Sequence, residues 1–214
     1  MKAATRELPA GNVKVTREDW LDAALDVMVS DGVEQVKVLT LGERLGVSRS
    51  SFYWYFKDRQ DLLDALLTHW QQTNTAAIVA QAGINADTIT RSVCNVFRCF
   101  VNPRLFDNRL EFAIRDWSRR SREVREFLAQ SDEMRLKALA QMFSRHDYEQ
   151  VEAITRARSL YYMQIGYNDA DLHESLDERL AVVHLYVQVF TGREPRRNEI
   201  DEFAAYARAV ETGA

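Results

Sequence analysis

Between Arg49 and Lys57 the chain reads Arg-Ser-Ser-Phe-Tyr-Trp-Tyr-Phe-Lys, a run of hydroxyls, aromatics and cations with no carboxylate. Laid on a helix at about 100° per residue, Phe52 and Phe56 share one side, Ser50 and Trp54 lie nearly opposite, and Arg49, Ser51, Tyr53 and Tyr55 flank them. The outward groups can bond phosphates and base edges, and a large exposed aromatic can lie on a sugar or a thymine methyl. Lys57 and Arg59 extend the cationic character. This is the chemistry of a surface that enters the major groove of a duplex. A Tyr53-Trp54-Tyr55 run also suits a docking patch for a protein partner, so a helical sensor or adaptor is the competing reading.

Such a face has to be held out by its neighbours. Thr16, with Asp19 three residues on, caps a first helix whose apolar side is Trp20, Leu21, Ala24, Leu25 and Met28, stopped at Asp31 and Gly32. Val38, Leu41 and Leu45, spaced three and four apart, mark a short second helix. It ends at Gly46, which can take the positive φ that a tight turn needs, and Gly42 offers a small side chain where two short helices cross. Ser48 then caps a third helix over 49–56. Asp58 with Asp61 opens a fourth, which runs to about residue 82.

The remainder supports a helical body. The chain has 214 residues, 46% of them apolar and 28% charged, with only 8 Gly and 3 Pro to punctuate it. Further helices are predicted over 87–101, 106–118, 121–145, 148–165, 176–190 and 199–210, with starts at Asp87, Ser121, Asp147, Ser175 and Asn198. About nine or ten helices result, and the fold class is all-α. No run approaches the roughly 18 apolar residues of a membrane span, and the polar start lacks an apolar signal core, which predicts a soluble, cytoplasmic protein. The net charge of -4 gives no global pull toward nucleic acid, so any such affinity must be local.

Little else in the sequence points to chemistry. Cys94 and Cys99 lie about 140° apart around a helix and are expected as core residues. His69, His146, His173 and His184 have no metal-ligand spacing, and no phosphate loop or nucleophile elbow is found. The expectation is a protein that is not an enzyme, with no cofactor and no metal.

The stretches Leu41-Gly42-Glu43-Arg44-Leu45-Gly46-Val47-Ser48 and Phe52-Tyr53-Trp54-Tyr55-Phe56-Lys57-Asp58-Arg59-Gln60-Asp61-Leu62-Leu63 resemble the amino-terminal signature of the TetR family of transcriptional regulators. The resemblance implies a homodimeric repressor on a palindromic operator, released when a small-molecule effector enters the carboxy-terminal domain. By position it implies nucleic-acid contacts from Arg49, Ser50, Ser51, Tyr53, Trp54, Tyr55, Lys57 and Arg59. Two residues depart from the pattern: Tyr55 replaces a frequent histidine, and Lys37 stands where a Thr or Ser usually caps the second helix.

The organisation expected on this basis is an arm over 1–12, a helix-turn-helix domain over 13–60, a connecting helix over 61–83 and a ligand-binding and dimerisation domain over 84–214. Candidate effector contacts are Phe97, Phe100, Phe112, Asp116, Trp117, Tyr161 and Gln164. Candidate dimer contacts, on two apolar-rich helices, are Val151, Ile154, Tyr162, Ile165, Leu180, Val183, His184 and Val187.

Overall fold

A computed structural model describes residues 15–170 and 172–213; the arm expected over 1–12 lies outside them. Every regular element among the described residues is helical, as the composition predicts. The chain divides into two compact units, Met1–Leu66 and Leu67–Ala214.

In the first unit α1 (Arg17–Asp31) begins at the predicted capping box: Thr16 Oγ1 accepts from the Asp19 amide at 3.2 Å and Asp19 Oδ2 accepts from the Thr16 amide at 2.6 Å. Gly32 ends it at φ +85°. A 3-10 turn, Val33–Gln35, leads into α2 (Val38–Leu45), which begins at Lys37 with no side-chain cap. Gly46 closes α2 at φ +67°, and a Cβ on Gly42 would lie 3.1 Å from the Val47 carbonyl oxygen, so both glycines are demanded by the turn. α3 (Arg49–Phe52) is shorter than the predicted 49–56. Beyond it the chain continues in turns, with the Tyr55 and Phe56 amides both donating to the Phe52 carbonyl at 3.0 Å.

α4 (Arg59–Trp70) is followed directly by a π turn, Gln71–Thr75, and by α5 (Ala76–Gly83). The division between the units falls within α4. Within this turn Thr73 Oγ1 donates to the His69 carbonyl, and Asn74 and Thr75 are buried.

In the second unit α6 (Ile89–Val101) is the central element, packed by α5, by α8 (Arg122–Ser144), and by α10 (Leu176–Thr191) and α11 (Arg197–Thr212). α7 (Asn108–Arg120) and α9 (Gln150–Asp169) pack on α8. Ser121 and Ser175 cap α8 and α10 as predicted. The other starts are shifted. Thr88 rather than Asp87 caps α6, Glu149 rather than Asp147 precedes α9, and Arg196 rather than Asn198 precedes α11. Cys94 and Cys99 are buried thiols, and burial pushes each up to about 12.

Candidate functional site

The first unit builds its outward face from a buried aromatic anchor. Phe52 meets Trp20 edge to face at 5.2 Å between centroids and stacks on Phe56 at 5.3 Å; all three rings are buried. With that side fixed inward, the opposite side has to project. Trp54 is 79% exposed and Tyr53 60%, large values for aromatic side chains and the reverse of a core assignment. Arg49, Ser50 and Lys57 are exposed beside them, and neither cation has an ion-pair partner among the described residues. Ser48 precedes α3 as predicted, yet its hydroxyl meets Ser50 Oγ at 2.7 Å rather than capping the helix, while Ser51 Oγ donates to the Ser48 carbonyl.

Two of the predicted contact residues are tied inward. Tyr55 is half-buried and its hydroxyl donates to the Val15 carbonyl at 2.7 Å. Arg59 donates from Nε to the Val36 carbonyl at 2.6 Å and from Nη2 to the Val33 carbonyl at 2.7 Å. These bonds anchor the segment before α2 to the start of α4. The helical wheel put Tyr55 on the flank and the family resemblance gave Arg59 as a phosphate contact, but neither could show that backbone carbonyls would meet them there. Asp58 and Asp61 fix that same start: Asp58 Oδ1 accepts from the Asp61 amide and Asp61 Oδ2 from the Lys57 amide.

In the second unit the candidate effector residues fall into three groups. Phe97, Phe100 and Gln164 line a cavity of about 50 Å³ between α6, α9, α10 and α11, together with Arg179, Val183 and Phe203. Phe112 and Tyr161, with Phe100 and Gln164 again, line a second space of about 10 Å³, room for at most one water. Asp116 and Trp117 line neither. Asp116 pairs with Arg120 at 3.1 Å, and Trp117 packs into the core, because the face of α7 that carries them turns away from both cavities.

Beside the small cavity lies an ionic cluster. Arg135, fully buried, pairs with Glu111, and its Nη1 donates to Tyr161 Oη at 2.9 Å. Arg115 also donates to Tyr161 Oη, at 2.8 Å, and Tyr161 donates to Asp132 Oδ1 at 2.6 Å. Burial pushes the Tyr161 hydroxyl above its ordinary value, so it stays a proton donor. Arg135 is not among the site residues predicted from the sequence. A signal was present: on α8 it occupies the inward register between Leu128 and Ser131 on one side and Leu139 and Met142 on the other, where an unpaired arginine would be costly.

The predicted dimer residues also separate. Val151, Ile154 and Tyr162 on α9 are exposed, and so is His184 on α10. Val183 and Val187 are buried in their own unit, Leu180 lines the cavity and Ile165 packs on the core. The outward apolar positions of α10 are instead Val182, Leu185 and Val189, since Val183 and Val187 face α6.

Among known families, residues 21–66 match the model described as bacterial regulatory proteins, tetR family. An uncharacterized HTH-type transcriptional regulator, TtgW of Pseudomonas putida, is 36% identical over 62 residues, 29% of this chain and 46% of that protein. The class C tetracycline repressor protein of Escherichia coli is 42% identical over 53 residues, 25% of this chain and 24% of the repressor. The chain thus spans less than half the length of these curated relatives. Two solved structures share the fold over nearly the whole chain. GusR of Salmonella enterica has a TM-score of 0.59 at 13% identity, covering 94% of this chain and 97% of that one. AmtR of Mycobacterium smegmatis has a TM-score of 0.57 at 17% identity, covering 97% and 99%.

Proposed function

We propose that the chain, whose amino-terminal segment matches the tetR family of bacterial regulatory proteins, is a TetR-family transcriptional regulator and a cytoplasmic repressor, a homodimer that binds a palindromic operator and leaves it when a small molecule enters the second unit. The observation that carries the reading is the exposure of Trp54 and Tyr53 on an acid-free face, flanked by Arg49 and Lys57, cations with no ion-pair partner among the described residues. Phosphate contacts from Arg49, Lys57, Ser50 and Ser51 would set the register, with Trp54 and Tyr53 on the bases. Tyr55 and Arg59 would act by holding the frame.

Two such surfaces in a dimer would sit about 34–36 Å apart, one turn of the duplex. The exposed apolar residues of α9 and α10 would meet their symmetry mates. An effector in the cavity lined by Phe97, Phe100 and Gln164 would alter the course of α4, and a coupling of about 1–3 kcal/mol changes operator affinity roughly 5–150-fold.

The test is fluorescence anisotropy with a labelled duplex from the promoter of the protein's own gene and a shuffled duplex of equal length. Preferential binding of the promoter, weakening with salt, is expected. Equal binding of both duplexes at moderate salt would remove the proposal.

A further inference from the structure

The cavity between α6, α9, α10 and α11 is walled by Phe97, Phe100, Leu180, Val183 and Phe203, and a larger space of about 220 Å³ adjoins it. Phe100, Tyr167 and Arg179 line both. Arg179 is therefore the cation at the passage from the polar outer space to the apolar inner one. Among the described residues its guanidinium makes one hydrogen bond, from Nη2 to the Phe100 carbonyl at 3.3 Å, and pairs with no carboxylate. Glu174, which also lines the outer space, accepts from the Tyr167 hydroxyl instead. Contrast Arg135, paired with Glu111, and Arg115 of the same unit, paired with Glu111 and Asp132.

We propose that the effector is a small amphiphilic carboxylate, its apolar body among Phe97, Phe100, Val183 and Phe203 and its carboxylate on the guanidinium of Arg179. This rests on the effector reading above and gives it a chemical class. A guanidinium presents parallel N–H groups that fit a carboxylate bidentately, while aromatic and aliphatic walls take the hydrocarbon. Gln164, buried, lines the same cavity and gives its amide N–H to Asn168 Oδ1 at 2.9 Å. The inner space of about 50 Å³ is smaller than an aryl ring or an alkyl chain needs, so the side chains that wall it move aside on binding under this proposal.

Calorimetric titration of the full chain with sodium 4-phenylbutyrate and sodium decanoate separates aryl from alkyl bodies, and the primary amides of both acids serve as uncharged controls. At least one acid is expected to bind, roughly tenfold or more tighter than its amide, as a charge-assisted pair requires. Arg179→Gln should abolish that preference by weakening the acid far more than its amide, and Arg179→Lys, which keeps the charge without the fork, should fall between. Equal affinity for acid and amide, an unaltered preference in Arg179→Gln, or no binding of either acid at millimolar concentration would overturn the assignment. Val183→Trp, with Leu180→Phe as a milder filler, distinguishes the two levels. If acid and amide bind equally and both are lost on filling, the cavity still receives the effector and only the class is wrong. Binding that survives filling would remove the cavity itself.

Discussion

Arg135 grips Glu111 with both arms of its guanidinium, Nη1 to Oε1 at 2.7 Å and Nη2 to Oε2 at 3.1 Å, with both side chains buried. The remaining valences are filled. Trp70 Nε1 donates to Glu111 Oε2 at 2.7 Å, Asn74 Nδ2 to the same oxygen at 3.2 Å, and Arg115 Nε to Oε1 at 3.0 Å. Arg135 Nε donates to Thr75 Oγ1, and the Trp70 ring lies 4.7 Å from its Cζ. The pair thus fastens the π turn and the end of α4 to α7 and α8, and it does so where desolvation would make any missing partner expensive.

Removing one partner should show that cost. Arg135→Met leaves the Glu111 carboxylate buried with Arg115 alone among cations, and a loss of about 3–5 kcal/mol in urea-induced unfolding is expected. The double variant Arg135→Met, Glu111→Leu should recover most of it, because the uncompensated charge is gone. A fully additive double variant would show that the pair is not the unit of stabilisation.

The same pair sets an acid limit. Burial raises the Glu111 carboxyl, but Arg135, Arg115 and the Asn74 amide outweigh burial and hold it below its ordinary 4.5. A carboxyl lowered on folding contributes fully above the unfolded value and loses that contribution as pH falls through the folded one. Stability measured by denaturant should therefore fall on acidification below pH 4.5, and Glu111→Gln should have a shallower acid limb. An unchanged limb would assign the acid sensitivity to other carboxylates.

In the first unit, α3 makes its two faces separately testable. Phe52→Ala empties a fully buried aromatic site and should cost about 3–5 kcal/mol of stability. Trp54→Ala, two residues away, should change stability by less than about 0.5 kcal/mol while weakening promoter binding. A Trp54 variant that unfolds would return that ring to the core.

Much of the fold was legible because its signals are local. The boxes at Thr16 and Ser175 need only residues three apart, and Gly46 needs only its own φ. The short register of α3 placed Phe52 and Phe56 inward correctly even though regular helix ends at Phe52. What escaped depends on distant partners: the carbonyls of Val33 and Val36 that meet Arg59, and the α6 face that buries Val183 and Val187. In an all-helical body a wide apolar stripe does not say which part faces a neighbour and which faces solvent.

The two arginines predicted as phosphate contacts should therefore behave differently. Arg49→Ala removes an exposed cation and should leave the melting temperature nearly unchanged while reducing the slope of log affinity against log salt by about 1. Arg59→Gln breaks two charged-donor bonds to Val33 and Val36, so a stability loss of about 1.5–3 kcal/mol is expected with little change in salt slope. A salt slope that shifts equally in both variants would restore Arg59 to the contact surface.

Val187 and Val189 on α10 divide the inner face from the outer one: Val187 is 0% exposed and Val189 72%. If α9 and α10 pair with a second copy, a charge on the outer face should separate the copies without harming the fold. Ile154→Glu with Val189→Glu is expected to sediment as a monomer with unchanged helical circular dichroism, because both side chains already face solvent in the single chain. Val187→Glu should instead unfold the second unit, since an isolated carboxylate would replace a buried methyl pair. A double variant that stays dimeric would move the interface to another face.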